Sequence, residues 1–274
     1  MSSVKAYLEL ARWPNALIAA FGVLVGARVS MAGPALVYPA VWFAMVAAVA
    51  LTVAANAWND AADAELDQRA GSARPVATGA ISVRSADRVA SFAAAIGTAF
   101  AALAVPALGL ITLPVVALMR FYSPWIKRFG LAGNATVAVL ASLPFVYGGW
   151  SRGNAINGLY LTGAAVPLHL AREITKDIDD VHADAGLRRT VPMLIGARRA
   201  RWLVAGIVVS YVVAMFASFE LVREIRYWLL PTIALLAVAL NLILSGHAGG
   251  SSALKAAMLV AMFTLWYFAI VVSP

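Results

Sequence analysis

Three aspartates, Asp60, Asp63 and Asp67, follow the pattern D-x-x-D-x-x-x-D, and Asp177, Asp180 and Asp184 repeat it. Steps of three, four and seven residues return to one face of a helix, so each triplet predicts a single carboxylate stripe. Asn56 and Glu173, four residues ahead of the first aspartate in each set, extend the two stripes. Of 13 acidic residues in 274, nine lie within Asp60–Asp67 and Glu173–Asp184. Acid so concentrated demands a cation. Mg²⁺ prefers oxygen ligands and takes one or two carboxylates together with substrate phosphates, so the stripes predict divalent metal sites that hold a diphosphate. A solvated helix end whose aspartates pair with nearby Arg and Lys would explain one such motif, but explains two at identical spacing poorly. Repulsion among the carboxylates predicts loose structure in the absence of metal.

The elements that must position these stripes are set by composition. Hydrophobic residues make up 62% of the chain and charged residues 12%, and the mean hydropathy is +0.84, which predicts an integral membrane protein. With no cysteine, disulfides and thiolate zinc sites play no part. The first residues lack the pattern of a cleaved signal, so the whole chain is expected to be mature protein. Apolar runs of spanning length predict nine membrane helices: Pro14–Val29, Pro39–Asn59, Ala86–Val105, Leu108–Phe121, Leu131–Trp150, Leu159–Ile174, Trp202–Phe219, Trp228–Ser245 and Leu254–Val272. With a cytoplasmic N-terminus, 17 of 21 Lys and Arg fall on the inner side and only Arg28, Arg152, Arg223 and Arg226 outside. Both stripes then emerge at the cytoplasmic face, after the second and sixth spans. The net charge of +8 suits an anionic leaflet and an anionic ligand, and the loop-borne distribution of the cations gives no support to nucleic-acid binding. Each stripe also runs into a basic, Gly- and Pro-marked loop, a faint internal repeat.

The segment Asn59–Asp67, preceded by Asn56 and followed by Arg74-Pro75-Val76-Ala77-Thr78-Gly79, resembles the first motif of the UbiA superfamily of intramembrane prenyltransferases. Arg172-Glu173-Ile174-Thr175-Lys176-Asp177-Ile178-Asp179-Asp180 resembles that superfamily's second aspartate motif. Tyr122-Ser123-Pro124-Trp125-Ile126-Lys127-Arg128, with Gly130, Gly133 and Asn134, resembles its Tyr-Ser…Lys segment. The resemblance covers essentially the whole chain as one domain, residues 1–274. It implies an all-α bundle of nine transmembrane helices around a central cavity, capped by cytoplasmic loops, that moves a prenyl group from a prenyl diphosphate to a lipophilic acceptor. It further implies two Mg²⁺ ions, one served by Asn56, Asp60, Asp63 and Asp67 and the other by Asp177, Asp180 and Asp184. Asn59, Arg69, Arg74, Lys127, Lys176 and Arg172 become the diphosphate-binding set. Asp63, Asp180, Tyr122 and Lys127 become the catalytic set, with the Tyr122 ring suited to stabilise an allylic cation.

The wording of the second motif, and Thr190-Val191-Pro192 after it, is most similar to the digeranylgeranylglyceryl phosphate synthase branch. That branch implies a geranylgeranyl diphosphate donor and geranylgeranylglyceryl phosphate as acceptor. Val76-Ala77-Thr78-Gly79 and Leu187-Arg188-Arg189 depart from the branch, which keeps aromatic acceptors (quinone precursors, tetrapyrroles, phenolics) open. A general base for an alcohol acceptor would be Asp67, Asp184 or Glu173. Phe121, Trp125, Phe145 and Tyr147 are expected to be interfacial anchors rather than channel lining. His169, inside the sixth span, is expected to make an interhelical hydrogen bond; His182 and His247 carry no distinct signal. A cation transporter would place its acids near the midplane in broken helices, and a CDP-alcohol phosphotransferase needs one aspartate set. Both readings, and that of a non-catalytic cation- or lipid-binding membrane protein, fit less well.

Overall fold

The computed structural model describes residues 3–181, 189–218 and 228–272, and every regular element among them is a helix. In chain order these are α1 (Ser3–Ala11), α2 (Trp13–Ser30), α3 (Pro39–Ala62), α4 (Ala64–Arg69), α5 (Val83–Ala104), α6 (Pro106–Phe121), α7 (Leu131–Ser142), α8 (Pro144–Ser151) and α9 (Ala155–Asp179). They continue with α10 (Val191–Ile195), α11 (Ala197–Ser218), α12 (Leu230–Ser245) and α13 (Gly250–Val272). Local chemistry sets several boundaries. Prolines open α2, α3, α6 and α12, where a missing N–H costs nothing. The Ser82 hydroxyl accepts the Ser85 N–H at 3.1 Å and caps α5.

Seven helical stretches are long and apolar enough to cross a bilayer: Trp13–Ser30, Pro39–Ala62, Val83–Ala104, Pro106–Ile126, Leu131–Ser151, Ala197–Ala217 and Gly250–Val271. The chain is an integral membrane protein. Two expected spans differ in kind. Helix α9 is long, at 25 residues, but carries Arg172, Glu173, Lys176, Asp177 and Asp179, too polar a face for a purely lipid-facing segment. Helix α12 has 16 residues, about 24 Å at 1.5 Å per residue, short of a hydrocarbon core of about 30 Å.

The helices cluster into two compact units: Met1–Ile126 with Pro144–Gly158, and Lys127–Leu143 with Leu159–Pro274. In the first, α3 packs against α2 and α5, and α2 against α8. The α2–α8 contact is backbone on backbone. A Cβ on Gly148 would stand 2.0 Å from the Val23 carbonyl oxygen, and one on Gly26 would stand 2.3 Å from that of Phe145. In lipid, where apolar contact brings no hydrophobic gain, such close approach supplies the packing energy. Large apolar side chains such as Phe92 and Leu110 lie exposed on the outside of this unit. In the second unit, Ile174 and Leu168 of α9 pack with Val204 of α11, Ile243 of α12 and Leu254 of α13.

Candidate active site

The first stripe spans the end of α3 and the start of α4. Asp60 is the last aspartate inside α3, Asp63 sits at the junction, and Asp67 lies on α4. Backbone bonds from Asp63 N to Asn59 O (2.9 Å) and from Asp67 N to Asp63 O (2.8 Å) carry the helical register across the junction, so the three stay in phase. The stripe is held by guanidinium groups. Arg12 Nη2 donates to Asp60 Oδ1 at 2.5 Å, and Asp60 is only 2% exposed. Arg74 Nη1 donates to Asp67 Oδ2 at 2.7 Å and stands 3.6 Å from Asp60 Oδ1. Arg12 and Arg74 thus supply counter-charge to the stripe. Asn56 turns its amide nitrogen to the Ala11 carbonyl at 3.1 Å, which ties α3 to the end of α1. Arg69 faces away, 3.8 Å from Glu65, with both side chains well exposed.

Asn59 is steered from another direction. The π turn Tyr122–Ile126 follows α6, and Ser123 Oγ donates to Asn59 Oδ1 at 3.1 Å. Tyr122, half-buried, belongs to the same π turn, a helical irregularity found often at functional sites.

The second stripe begins inside α9. Asp177 is on its last turn, and Asp180 follows its end, with Asp180 N still bonded to Lys176 O at 2.9 Å. Asp184 and His182 lie outside the described residues. Asn134 of α7 donates from Nδ2 to Asp177 Oδ2 at 2.8 Å. Gly130 sets up that contact: its φ of +52° suits glycine, and a Cβ there would meet the Arg189 carbonyl oxygen at 2.6 Å. Lys127 opens the 3-10 turn Lys127–Phe129 between these segments. Deeper on α9, Glu173 accepts Arg172 Nη1 at 3.0 Å and Lys176 Nζ at 2.8 Å. Asp179, outside the apolar stretch, has its carboxyl pushed up by partial burial and by neighbouring Asp180, with Arg201 opposing. Repulsion of this kind is what a bound cation relieves.

Among the described residues no three acidic or histidine side chains converge into a cage that would hold a metal unaided. This donor chemistry still fits Mg²⁺, which is bound by a few carboxylate oxygens and completes its shell with phosphate and water. His169 departs from expectation. Its ring makes no hydrogen bond among the described residues; its neighbours are the charges of Arg172 and Glu173, one turn toward the stripe. Tyr147 and Phe145 are buried bundle residues, Tyr147 with its hydroxyl 2.7 Å from Thr112 Oγ1. Phe121 and Trp125 form an exposed edge-to-face pair.

Two site residues were not assigned roles from sequence. Arg12 counted only toward the inside-positive charge, and Asn134 stood unassigned in its motif. An amide side chain just after Gly130 and Gly133 was the available signal for Asn134. Arg12 had none, since its partner lies 48 residues away.

Fold and site together define an all-helical membrane protein with carboxylates gathered at helix ends. Residues 18–266 match the model of the UbiA prenyltransferase family. A digeranylgeranylglyceryl phosphate synthase of Natronomonas pharaonis is 34% identical, across 95% of this chain and 95% of its own. One from Methanopyrus kandleri is 36% identical across 70% of each. Among solved structures, a UbiA homologue from Aeropyrum pernix superposes with a TM-score of 0.74 at 19% identity, covering 94% of this chain and 97% of that one. An Archaeoglobus fulgidus homologue bound to GPP and Mg²⁺ gives 0.69 at 19% identity, covering 97% and 99%. The chain belongs to the UbiA prenyltransferase family, and it is a prenyltransferase.

Proposed function

We propose that the enzyme transfers a geranylgeranyl group from its diphosphate to the free hydroxyl of geranylgeranylglyceryl phosphate, a step of ether-lipid synthesis. The observation that carries this is the end-to-end likeness to relatives named digeranylgeranylglyceryl phosphate synthase, 34% identical over 95% of the chain. The chain acts as one domain over residues 1–274, with nine membrane helices around a central cavity. Its N-terminus, both stripes and the loops that cap them are cytoplasmic, a reading supported by 17 of 21 Lys and Arg falling on that side.

Asn56, Asp60, Asp63 and Asp67 hold one Mg²⁺ in this reading, and Asp177, Asp180 and Asp184 a second. The Archaeoglobus fulgidus homologue bound to GPP and Mg²⁺ supports the metal. When bound, the metal neutralises negative charge on the departing diphosphate. Within the first set Asp60 and Asp67 are engaged by Arg12 and Arg74, cations whose place a bound metal would share or take. Asn59, Arg74, Lys127, Arg172 and Lys176 bind the diphosphate, with Arg69 at the rim. Tyr122 faces the allylic cation.

A single assay panel tests the proposal. Purified protein with Mg²⁺ is given labelled prenyl diphosphates of several lengths, with geranylgeranylglyceryl phosphate or an aromatic acceptor. Ether product with the glycerol phosphate lipid is expected. Product only with an aromatic acceptor removes the ether-lipid assignment. Asp63→Ala and Asp180→Ala should each abolish turnover while the folded bundle persists; near-normal rates in either would remove the two-metal arrangement.

A further inference from the structure

An alcohol acceptor must lose a proton as its oxygen forms the new bond, and the described structure bears on two of the three carboxylates read as candidate bases, Asp184 lying outside the described residues. Asp67 is committed to Arg74 at 2.7 Å. Glu173 is committed on both oxygens, to Arg172 at 3.0 Å and to Lys176 at 2.8 Å. Protonating either carboxylate would forfeit charge-assisted hydrogen bonds, the strong class of such bonds.

His169 differs. It lies on α9 one turn deeper than Glu173, so the two share a helix face with Lys176 and Asp180, at steps of four, seven and eleven residues. The residue is partly exposed, and its ring has no hydrogen bond among the described residues. A histidine inside a membrane segment that is neither bonded nor sealed away is a functional candidate.

Depth supports the same role. His169 precedes Asp177 by eight residues, or about 12 Å along the helix axis. An acceptor reaching a donor whose diphosphate is held near Asp177 would approach from the deeper part of α9, where His169 lies.

We infer that His169 is the general base that takes the proton of the acceptor hydroxyl. This inference rests on the alcohol-acceptor reading given above. The bond between C1 and the diphosphate oxygen breaks, its electron pair staying on the diphosphate. The acceptor oxygen bonds to C1, and its proton passes to a ring nitrogen of His169. The imidazolium so formed faces the Glu173 carboxylate one turn away and, against it, the Arg172 guanidinium, so it is short-lived and returns the proton to solvent as products leave. Glu173 acts here as a positioning residue.

The test compares wild type with His169→Gln in detergent and Mg²⁺, measuring ether formation with geranylgeranylglyceryl phosphate and, separately, donor binding and thermal unfolding. A general base contributes about 10²–10⁴ in rate, so kcat for ether formation should fall at least about 100-fold. KM for the donor and the unfolding temperature should stay put. The variant should still ionise the donor, read as positional isotope exchange of the bridging oxygen. Equal ether formation by variant and wild type overturns the role of His169 and leaves the acceptor reading standing. A variant that loses isotope exchange in proportion also overturns it, because the defect would then lie in ionisation. Wild type that prenylates only an aromatic ring overturns both readings together.

Discussion

Arg12 and Asp60 are joined by a guanidinium–carboxylate hydrogen bond of 2.5 Å that ties the α1–α2 hinge to the end of α3. Arg12 sits at φ 47°, ψ 53°, the one positive-φ residue among the described residues that is not glycine. That left-handed conformation costs about 1–2 kcal/mol, and it aims the side chain at a carboxylate with 2% exposure. Arg12→Gly would relieve the backbone but remove the shorter of the two guanidinium contacts to buried Asp60, leaving Arg74 at 3.6 Å; losing a partner of a buried ion pair costs up to about 3–5 kcal/mol. The second term wins, so Arg12→Gly should unfold at a lower temperature than wild type. A variant as stable as wild type would show that Arg74 alone satisfies Asp60.

Asn134 holds Asp177 at 2.8 Å. With Asp177 as a metal ligand in the proposed reading, Asn134 would orient it, and such groups typically contribute 10–100-fold to metal affinity. Asn134→Ala should therefore raise the Mg²⁺ concentration for half-maximal activity by about tenfold, with kcat recovering at saturating Mg²⁺. Asn134→Asp, which sets a second carboxylate beside Asp177, should alter the metal requirement in a different way. Unchanged Mg²⁺ titrations for both would remove Asn134 from the site.

Ser123 engages Asn59 at 3.1 Å. A neutral hydrogen bond contributes about 1 kcal/mol, roughly a fivefold effect on rate if it acts only through orientation. Ser123→Ala should lower kcat/KM for the prenyl diphosphate by about that factor and leave the unfolding temperature nearly unchanged. A loss of stability without a loss of donor affinity would make the contact a fold restraint alone.

Gly148 has no room for a side chain, since a Cβ would lie 2.0 Å from Val23 O and 2.6 Å from Ala27 N, both backbone atoms. Gly148→Ala must separate α2 from α8, and overpacking of this kind costs about 1–3 kcal/mol or more. The expected result is poor recovery of folded protein in mild detergent. Gly163→Ala, where nothing stands within 4 Å of the added carbon, serves as the tolerated control.

Much of this architecture was legible in the chain. Spans bounded by Pro39 or Pro106 were readable because apolar runs end where proline and polar residues begin. The aspartate spacing was readable because helical phase is a local property. Contacts between distant elements were not. Arg12 looked like any inside-positive arginine until the hinge turned it toward Asp60. His169 looked like a residue with an interhelical partner, yet its ring finds charges rather than a hydrogen bond. The long polar face of α9 blurred the hydropathy signal of the sixth span, for the same reason that it can carry chemistry.

The brevity of α12 has a mechanical meaning. Its 16 residues fall about 6 Å, or roughly four residues of rise, short of an average hydrocarbon layer. A helix too short for its bilayer draws the surrounding lipid thin at a modest cost per ångström. Where α12 crosses the bilayer, the flanking lipids would meet a dimple, with headgroups closer to the midplane than elsewhere. Bilayer thickness, and with it the chain length of the lipids themselves, becomes a variable to which this membrane enzyme is physically coupled.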